Sequence, residues 1–278
     1  MKRWHITEAV LTGLVIFALA AVSLFPLFWA LSTSLKGPRE ILSIPPHLFP
    51  GQITLENYSR VLWGEVGLLA NVRNSLFYTL TAMVLTVGFG AMAAYAVTRF
   101  NFAGKAPLLT LVLATMTIPL IGTLIPAYFY LTRLHLVDRW ITLILIYWAH
   151  NLPFAIWLLR GFFESIPSDL EKASLVDGYS RFQSFYKVLL PLSRPGLVTA
   201  ALFVSLTAWN DYIVAVTMIK NPGLKPLPVG IISFLGEHGR EWGPLTAGAI
   251  LAAVPVIVMF LAFRNYFLGG LTSGAVKG

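Results

Sequence analysis

Long apolar runs alternate with short charged connectors along this chain. Charged side chains are absent from 9–35, 74–98, 106–132, 140–159 and 242–263, and 195–218 carries a single acid, Asp211. Each run supplies the roughly 20 residues that a helix needs to cross about 30 Å of hydrocarbon. The pattern predicts an all-α membrane protein of one domain, 1–278, with six transmembrane helices over 9–31, 73–98, 106–132, 140–160, 195–219 and 242–264. An even number of spans puts both termini on the same side. Prolines at 26, 119, 126, 153 and 255 fall inside spans, where each removes a backbone hydrogen bond and favours a kink. Lys2 and Arg3 ahead of an apolar run look like the start of a signal peptide, but the uncharged run to 35 is far longer than the roughly 7 to 15 residues of such a core. The first run is therefore read as a retained span.

Connectors differ in length and character. The first, 32–72, contains Pro45-Pro46 and Pro50-Gly51 turns, and 55–69 has the pattern of a short amphipathic surface helix. It is read either as a solvated connector or as a docking element. The connector at 161–194 changes character altogether. Ser168-Asp169-Leu170-Glu171 is an S-x-x-E capping box, predicting a helix from Asp169 with Glu171 reaching back to the Ser168 N–H. Gly178 suits the left-handed position that ends such a helix. Ser180-Arg181-Phe182-Gln183 is a second box, opening a helix that Pro191 is expected to terminate. Leu170, Ala173 and Val176 share one face of the first helix, and Phe182, Phe185 and Leu189 one face of the second. Periodicity leaves two fates for those stripes: folding onto the bundle or lipid interface, or docking a soluble partner.

Composition supports lipid as the solvent. The 278 residues are 57% hydrophobic and 12% charged, with a mean hydropathy of +0.75. Soluble domains carry about a quarter charged residues. The net charge of +8 is spread thinly between apolar runs and forms no patch, so it reads as flanks facing anionic lipid and not as a nucleic-acid surface. Lys and Arg divide almost evenly between the two sides of the six-span topology, so charge alone does not orient it. With no cysteine there is no disulfide framework and no Cys-ligated metal. No G-x-x-x-x-G-K-[ST] phosphate loop and no H-E-x-x-H zinc motif occur, and His150 stands alone in the fourth span.

Chemistry inside the spans is sparse. Asp211 is the one acid well within a run, and ionisable groups in membranes face a cavity or a partner. With Trp209, Asn210 and Tyr212 it offers an aromatic surface beside hydrogen-bonding groups, suited to a sugar. The alternative is an Asp211 near the outer end of a helix, satisfying a neighbour. Asn151, two residues before Pro153, is placed to bond carbonyls freed at a kink.

The 161–194 connector resembles the EAA motif of binding-protein-dependent ABC importer permeases. The match runs through Glu171, Ala173, Asp177, Gly178, Val188, Leu190 and Pro191, and continues with Pro195-Gly196. It departs with Lys172 where the family prefers Ala and Tyr179 where a small residue is usual. Met116-Thr117-Ile118-Pro119, Ile125-Pro126, Asn151-Leu152-Pro153-Phe154, Trp209-Asn210-Asp211-Tyr212 and the tail from Gly269 to Gly278 resemble the second permease subunit of maltose-type sugar importers. That resemblance implies a type I ABC importer permease fold and a prokaryotic cytoplasmic-membrane location. It implies an extracytoplasmic loop at 32–72, a cytoplasmic coupling loop at 161–194 and a cytoplasmic tail at 265–278, so both termini lie inside. The implied partners are a second six-helix permease, two ATP-binding-cassette ATPases, an extracytoplasmic solute-binding protein, a sugar and membrane lipid, with no nucleic acid. Glu171, Ala173, Asp177, Gly178, Leu190 and Pro191 become ATPase-coupling residues; Asn151, Trp209, Asn210, Asp211 and Tyr212 are candidates for the substrate pathway. No cofactor or metal is expected on this chain, ATP and Mg belonging to the partner ATPase, and no catalytic residue is expected either. The glycine-rich tail after Arg264 reads as a flexible arm or as disorder. An ion-coupled secondary transporter would need several embedded carboxylates, and a membrane-embedded enzyme a catalytic constellation.

Overall fold

A computed structural model describes residues 2–64, 67–235 and 241–275, and among them regular structure is entirely helical. In chain order the helices are α1 (Lys2–Ser34), α2 (Pro38–Ile41), α3 (Glu56–Trp63), α4 (Leu69–Arg99), α5 (Lys105–Met116), α6 (Leu120–Arg133) and α7 (Trp140–Ser165). They continue as α8 (Ser168–Val176), α9 (Arg181–Ser184), α10 (Leu190–Leu192), α11 (Arg194–Trp209), α12 (Ile213–Met218), α13 (Leu227–Ile232) and α14 (Trp242–Ala275). Four stretches, Val10–Ser34, Leu69–Arg99, Trp140–Ser165 and Trp242–Arg264, are long and apolar enough to cross a membrane. Six are reached when the bent pairs Lys105–Met116 with Leu120–Arg133 and Arg181–Leu192 with Arg194–Trp209 each count as one span.

Three expected boundaries move. The third run, expected continuous over 106–132, turns by 98° between α5 and α6. Pro119 sits at the break with extended ψ, and a proline there denies the next turn its hydrogen bond. The fifth, expected over 195–219, stops at Trp209 and restarts at Ile213. At 16 residues α11 is about 24 Å long, short of a full crossing by itself. The tail expected as a flexible arm continues α14 as far as Ala275; residues 276–278 lie outside the described residues. A helix already propagating through a long apolar run extends at one hydrogen bond per residue, which the glycines do not stop.

Two compact units divide the chain, Met1–Leu69 with Gly230–Pro255, and Ala70–Val229 with Val256–Gly278. In the first, Asn57 Nδ2 donates to the carbonyls of Ser34 and Lys36 at 2.9 Å each, satisfying oxygens that the end of α1 leaves open. The amphipathic helix expected over 55–69 is shorter, α3, with Asn57 and Val61 on its buried side. Within the same unit residues 10–27 of the Val10–Ser34 stretch are all exposed, an apolar surface left for lipid or another protein.

The second unit carries the core. Tyr78 and Ala82 of α4 pack with Leu143, Ile144 and Tyr147 of α7 and with Val214 and Met218 of α12. Towards the other end, Ala91, Ala94 and Tyr95 of α4 meet Leu159 and Phe163 of α7, Phe185 and Leu189 of the 161–194 connector, and Ala200 of α11. Small residues allow these helices to approach closely. At Gly196 an added Cβ would lie 2.5 Å from the Phe162 ring, so α11 and α7 meet there only without a side chain.

Candidate functional site

The 161–194 connector folds as two helical arms about Gly178. Gly178 has φ +91°, its N–H reaches Leu175 O at 3.1 Å and the Tyr179 N–H reaches Ser174 O at 3.0 Å. These two bonds form a Schellman cap, closing carbonyls at the end of α8 as only a left-handed residue permits. The second capping box forms in full: Ser180 N–H donates to Gln183 Oε1 at 2.8 Å and Gln183 N–H to Ser180 Oγ at 3.2 Å. Pro191 does not end this arm as expected. The chain widens into a π turn over Phe185–Leu189, with Leu190 N–H bonded to Phe185 O, and stays helical through Leu192. The wider turn places the proline, which has no N–H to give, without breaking the path.

The first capping box does not form. Pro167 occupies the cap position, α8 begins at Ser168, and no side chain closes its N-terminus. Glu171 is used elsewhere. Only 7% exposed, its carboxylate accepts from Tyr95 Oη at 2.5 Å and from Arg99 Nε at 2.9 Å. Arg99 Nη2 also donates to Phe163 O at 3.1 Å and Ile166 O at 3.0 Å, carbonyls at the end of α7. One guanidinium therefore ties α8 to the ends of α4 and α7, in charge-assisted bonds stronger than neutral ones. A further clasp joins the two arms, Ser174 Oγ lying 2.6 Å from Ser184 Oγ, both buried.

Turning Glu171 and Ser174 inward turns the apolar stripe outward. Leu170 is 47% and Val176 88% exposed, with Ala173 exposed between them. On the second arm Phe182 and Tyr186 are also outward, whereas Phe185 and Leu189 enter the core, so the expected Phe182–Phe185–Leu189 face is split. Asp177 and Pro191 are exposed and Leu190 half-buried. The two departures from the EAA pattern cause no misfit. Lys172 points to solvent and bonds Asp169 at 2.8 Å, which holds the Asp169 carboxyl below its usual range, and Tyr179 receives the Lys187 ammonium 4.9 Å above its ring.

The five in-span candidates separate. Asn151 is buried; its Nδ2 donates to Tyr147 O at 2.7 Å and its Oδ1 accepts from Thr207 Oγ1 at 2.8 Å. The carbonyl freed by Pro153 belongs to Ala149, so Asn151 does not serve the kink in the way expected. Trp209 is buried, while Asn210 and Tyr212 are exposed. Asp211 accepts from Tyr147 Oη at 2.8 Å, from Val214 N–H at 3.3 Å and from Ala215 N–H at 3.0 Å. It caps α12 and fixes the break after Trp209. Tyr147 and Thr207 complete this network across α7 and α11, although in the sequence each reads as an ordinary in-span residue. Among the described residues no group of three or more His, Cys, Asp or Glu could hold a metal ion.

Residues 86–267 match the family described as the binding-protein-dependent transport system inner membrane component. The chain is 40% identical over 277 residues to the trehalose transport system permease protein SugB of Mycobacterium tuberculosis, covering 99% of this chain and 97% of that one. It is 37% identical over 255 residues to the sulfoquinovosyl glycerol transport system permease protein SmoH of Agrobacterium fabrum, covering 92% and 89%. In fold it is similar to a chain of a bacterial ABC transporter involved in the import of the acidic polysaccharide alginate. The TM-score is 0.84 at 23% identity, with 94% of this chain and 96% of that one covered.

Proposed function

Because this chain belongs to the family of binding-protein-dependent transport system inner membrane components, we propose that it moves a sugar or glycoside across the cytoplasmic membrane by alternating access. In this reading it pairs with a second six-span permease, receives solute from an extracytoplasmic binding protein, and is driven by two ATPase subunits that carry the ATP and Mg. Its 161–194 connector and both termini face the cytoplasm. Relatives named for trehalose and for sulfoquinovosyl glycerol support a glycosidic solute.

One observation carries the coupling role. Helix α8 is inverted: its polar residues Glu171 and Ser174 face the bundle, and its apolar residues Leu170, Ala173 and Val176 face out. An outward apolar stripe on a soluble loop costs free energy until a partner covers it, at roughly 25 cal/mol per Å². A groove on an ATPase subunit is the cover this reading supplies, with the small Ala173 allowing close approach and Gly178 setting the angle between the arms. The inward Glu171–Arg99 tie then passes displacement of α8 to α4 and α7. Asp211, with both oxygens already accepting, supports positioning of the fifth span over ion coupling. Val176→Asp and Leu170→Asp test the docking: co-purification of the ATPase with this chain should fall while membrane insertion is retained. Full co-purification by both variants would refute it.

A further inference from the structure

A stripe of residues outside the sites above joins α7 to α11. Helical spacing puts His150, Phe154 and Trp157 on one side of α7, and Phe203, Leu206 and Asn210 on one side of α11. Phe154 links the two rows, its ring centroid 3.8 Å from that of Phe203 at an interplanar angle of 30° and 6.4 Å from that of Trp157. His150, Trp157 (50%), Phe203 and Asn210 are exposed on the chain's surface. Asn210 Nδ2 closes onto Leu206 O at 2.9 Å, and its Oδ1 accepts nothing among the described residues.

Lipid is a poor neighbour for such a stripe. His150 lies near the middle of the 26-residue α7, and an imidazole at that depth, like a free amide oxygen, is costly against hydrocarbon. The stripe instead faces water or another protein. Its chemistry is particular: flat rings flanked by an imidazole and an amide, with no Lys or Arg in the row. Three residues beyond Trp157 on α7, Arg160 is paired with Glu164 at 2.7 Å. Rings that stack on the C–H faces of a pyranose, beside groups that bond its hydroxyls, suit a neutral carbohydrate.

We propose that the His150–Phe154–Trp157 row, with Phe203 and Asn210, lines the solute path and contacts a neutral sugar, Trp157 serving as the stacking surface. This rests on the importer reading above. It moves the contact from the buried Asn151 and Trp209 to their outward neighbours.

The native chain has no cysteine, so a single thiol placed in it is the only one this chain carries, and labelling is read on this chain after the subunits are separated. In the assembled importer reconstituted in liposomes, Trp157→Cys and Asn210→Cys are treated with a charged, membrane-impermeant methanethiosulfonate present on both sides. Val84→Cys, at an outward apolar position of α4, is the comparison. Because the thiolate is the reacting species and apolar surroundings suppress it, the two stripe thiols should react at least about tenfold faster than the Val84→Cys thiol. Trehalose should slow them. In parallel, Trp157→Ala should raise the KM for trehalose uptake about three- to tenfold, with Trp157→Phe restoring most of it.

Stripe thiols that react as slowly as the Val84→Cys thiol in the assembled importer would overturn the proposal. If they react rapidly only in the isolated chain, the stripe is the seat of the second permease, which also overturns it. Fast reaction with no protection and an unchanged KM would mean water without sugar contact, and would overturn the sugar assignment. Failure of the importer reading itself looks different: the native complex would show no ATP-dependent uptake, while the labelling rates would still decide whether the stripe faces water.

Discussion

Removing the Arg99 guanidinium tests how α8 is held. The Arg99 and Glu171 side chains are 12% and 9% exposed, so solvent screens the pair little. Arg99→Met keeps the stem and much of the volume. It leaves Glu171 with the Tyr95 hydroxyl alone and strips the Phe163 and Ile166 carbonyls of a donor. Breaking a buried pair by removing one partner costs about 3–5 kcal/mol, because the other charge stays desolvated. Glu171→Gln should cost less, about 1–3 kcal/mol, since the amide oxygen still accepts from Tyr95 or Arg99. Spans packed through α4, α7 and α11 do not depend on this pair, so the loss should appear as local opening of the connector and not as global unfolding. At 1.4 kcal/mol per tenfold, 3 kcal/mol corresponds to α8 amides exchanging more than about a hundredfold faster in Arg99→Met, with amides in the middle of α7 unchanged. Hydrogen exchange read by mass spectrometry on the purified chain measures both. Exchange of α8 within about twofold of native would refute the reasoning, as would equal acceleration in α7.

Other substitutions separate packing from transmission. Gly178→Val forces a β-branched residue into φ +91°, at a cost of about 1–2 kcal/mol; the protein should insert normally, yet hydrolyse more ATP for each sugar accumulated. Normal coupling would remove Gly178 from the mechanism. Asp211→Ala removes the cap of α12 and the acceptor of Tyr147, and Asn151→Ala the acceptor of Thr207. Both positions are committed to neighbours, so each variant should lower the maximum uptake rate and leave KM within about twofold, each lost bond costing about 1–3 kcal/mol of local stability. A KM change of tenfold or more in either would return these residues to the solute path. Gly196→Leu meets the Phe162 ring at the α7–α11 contact and should destabilise the chain by about 1–3 kcal/mol, read as a lower midpoint in thermal unfolding. An unchanged midpoint would show that the contact can relax.

Features fixed by neighbouring residues are legible in the sequence, and those fixed by distant ones are not. Four of the six apolar runs appear as continuous helices long enough to span and the other two as bent pairs, while the left-handed Gly178 and the Ser180–Gln183 box follow from local chemistry and form as expected. Ser168 to Glu171 has the same local signature as Ser180 to Gln183, yet only the second closes. Arg99 and Tyr95, more than seventy positions upstream, offer Glu171 a buried cation and a hydroxyl that outcompete a solvent-exposed backbone N–H. Nothing within a few residues of Glu171 announces them. The inversion of α8 follows from that competition, since the helix rotates its acid inward and its leucine and valine outward. In the spans, Pro119 gave a local sign of the α5–α6 break, whereas the break after Trp209 depends on Tyr147 meeting Asp211 across two helices. That Asn151 is buried and His150 exposed depends on which side of α7 faces its neighbours, which a single apolar run does not encode.

In the proposed mechanism force enters through the outward face of α8 and drives a sugar across the membrane. This is tested most directly by reconstituting this chain with its second permease, the ATPases and the binding protein in liposomes, and measuring labelled trehalose uptake with and without ATP. The native complex should accumulate sugar only with ATP and binding protein present, and Val176→Asp should abolish uptake while sugar still binds the free binding protein. Uptake that persists without the ATPase subunits under an imposed ion gradient, or that survives Val176→Asp at the native rate, would contradict the account.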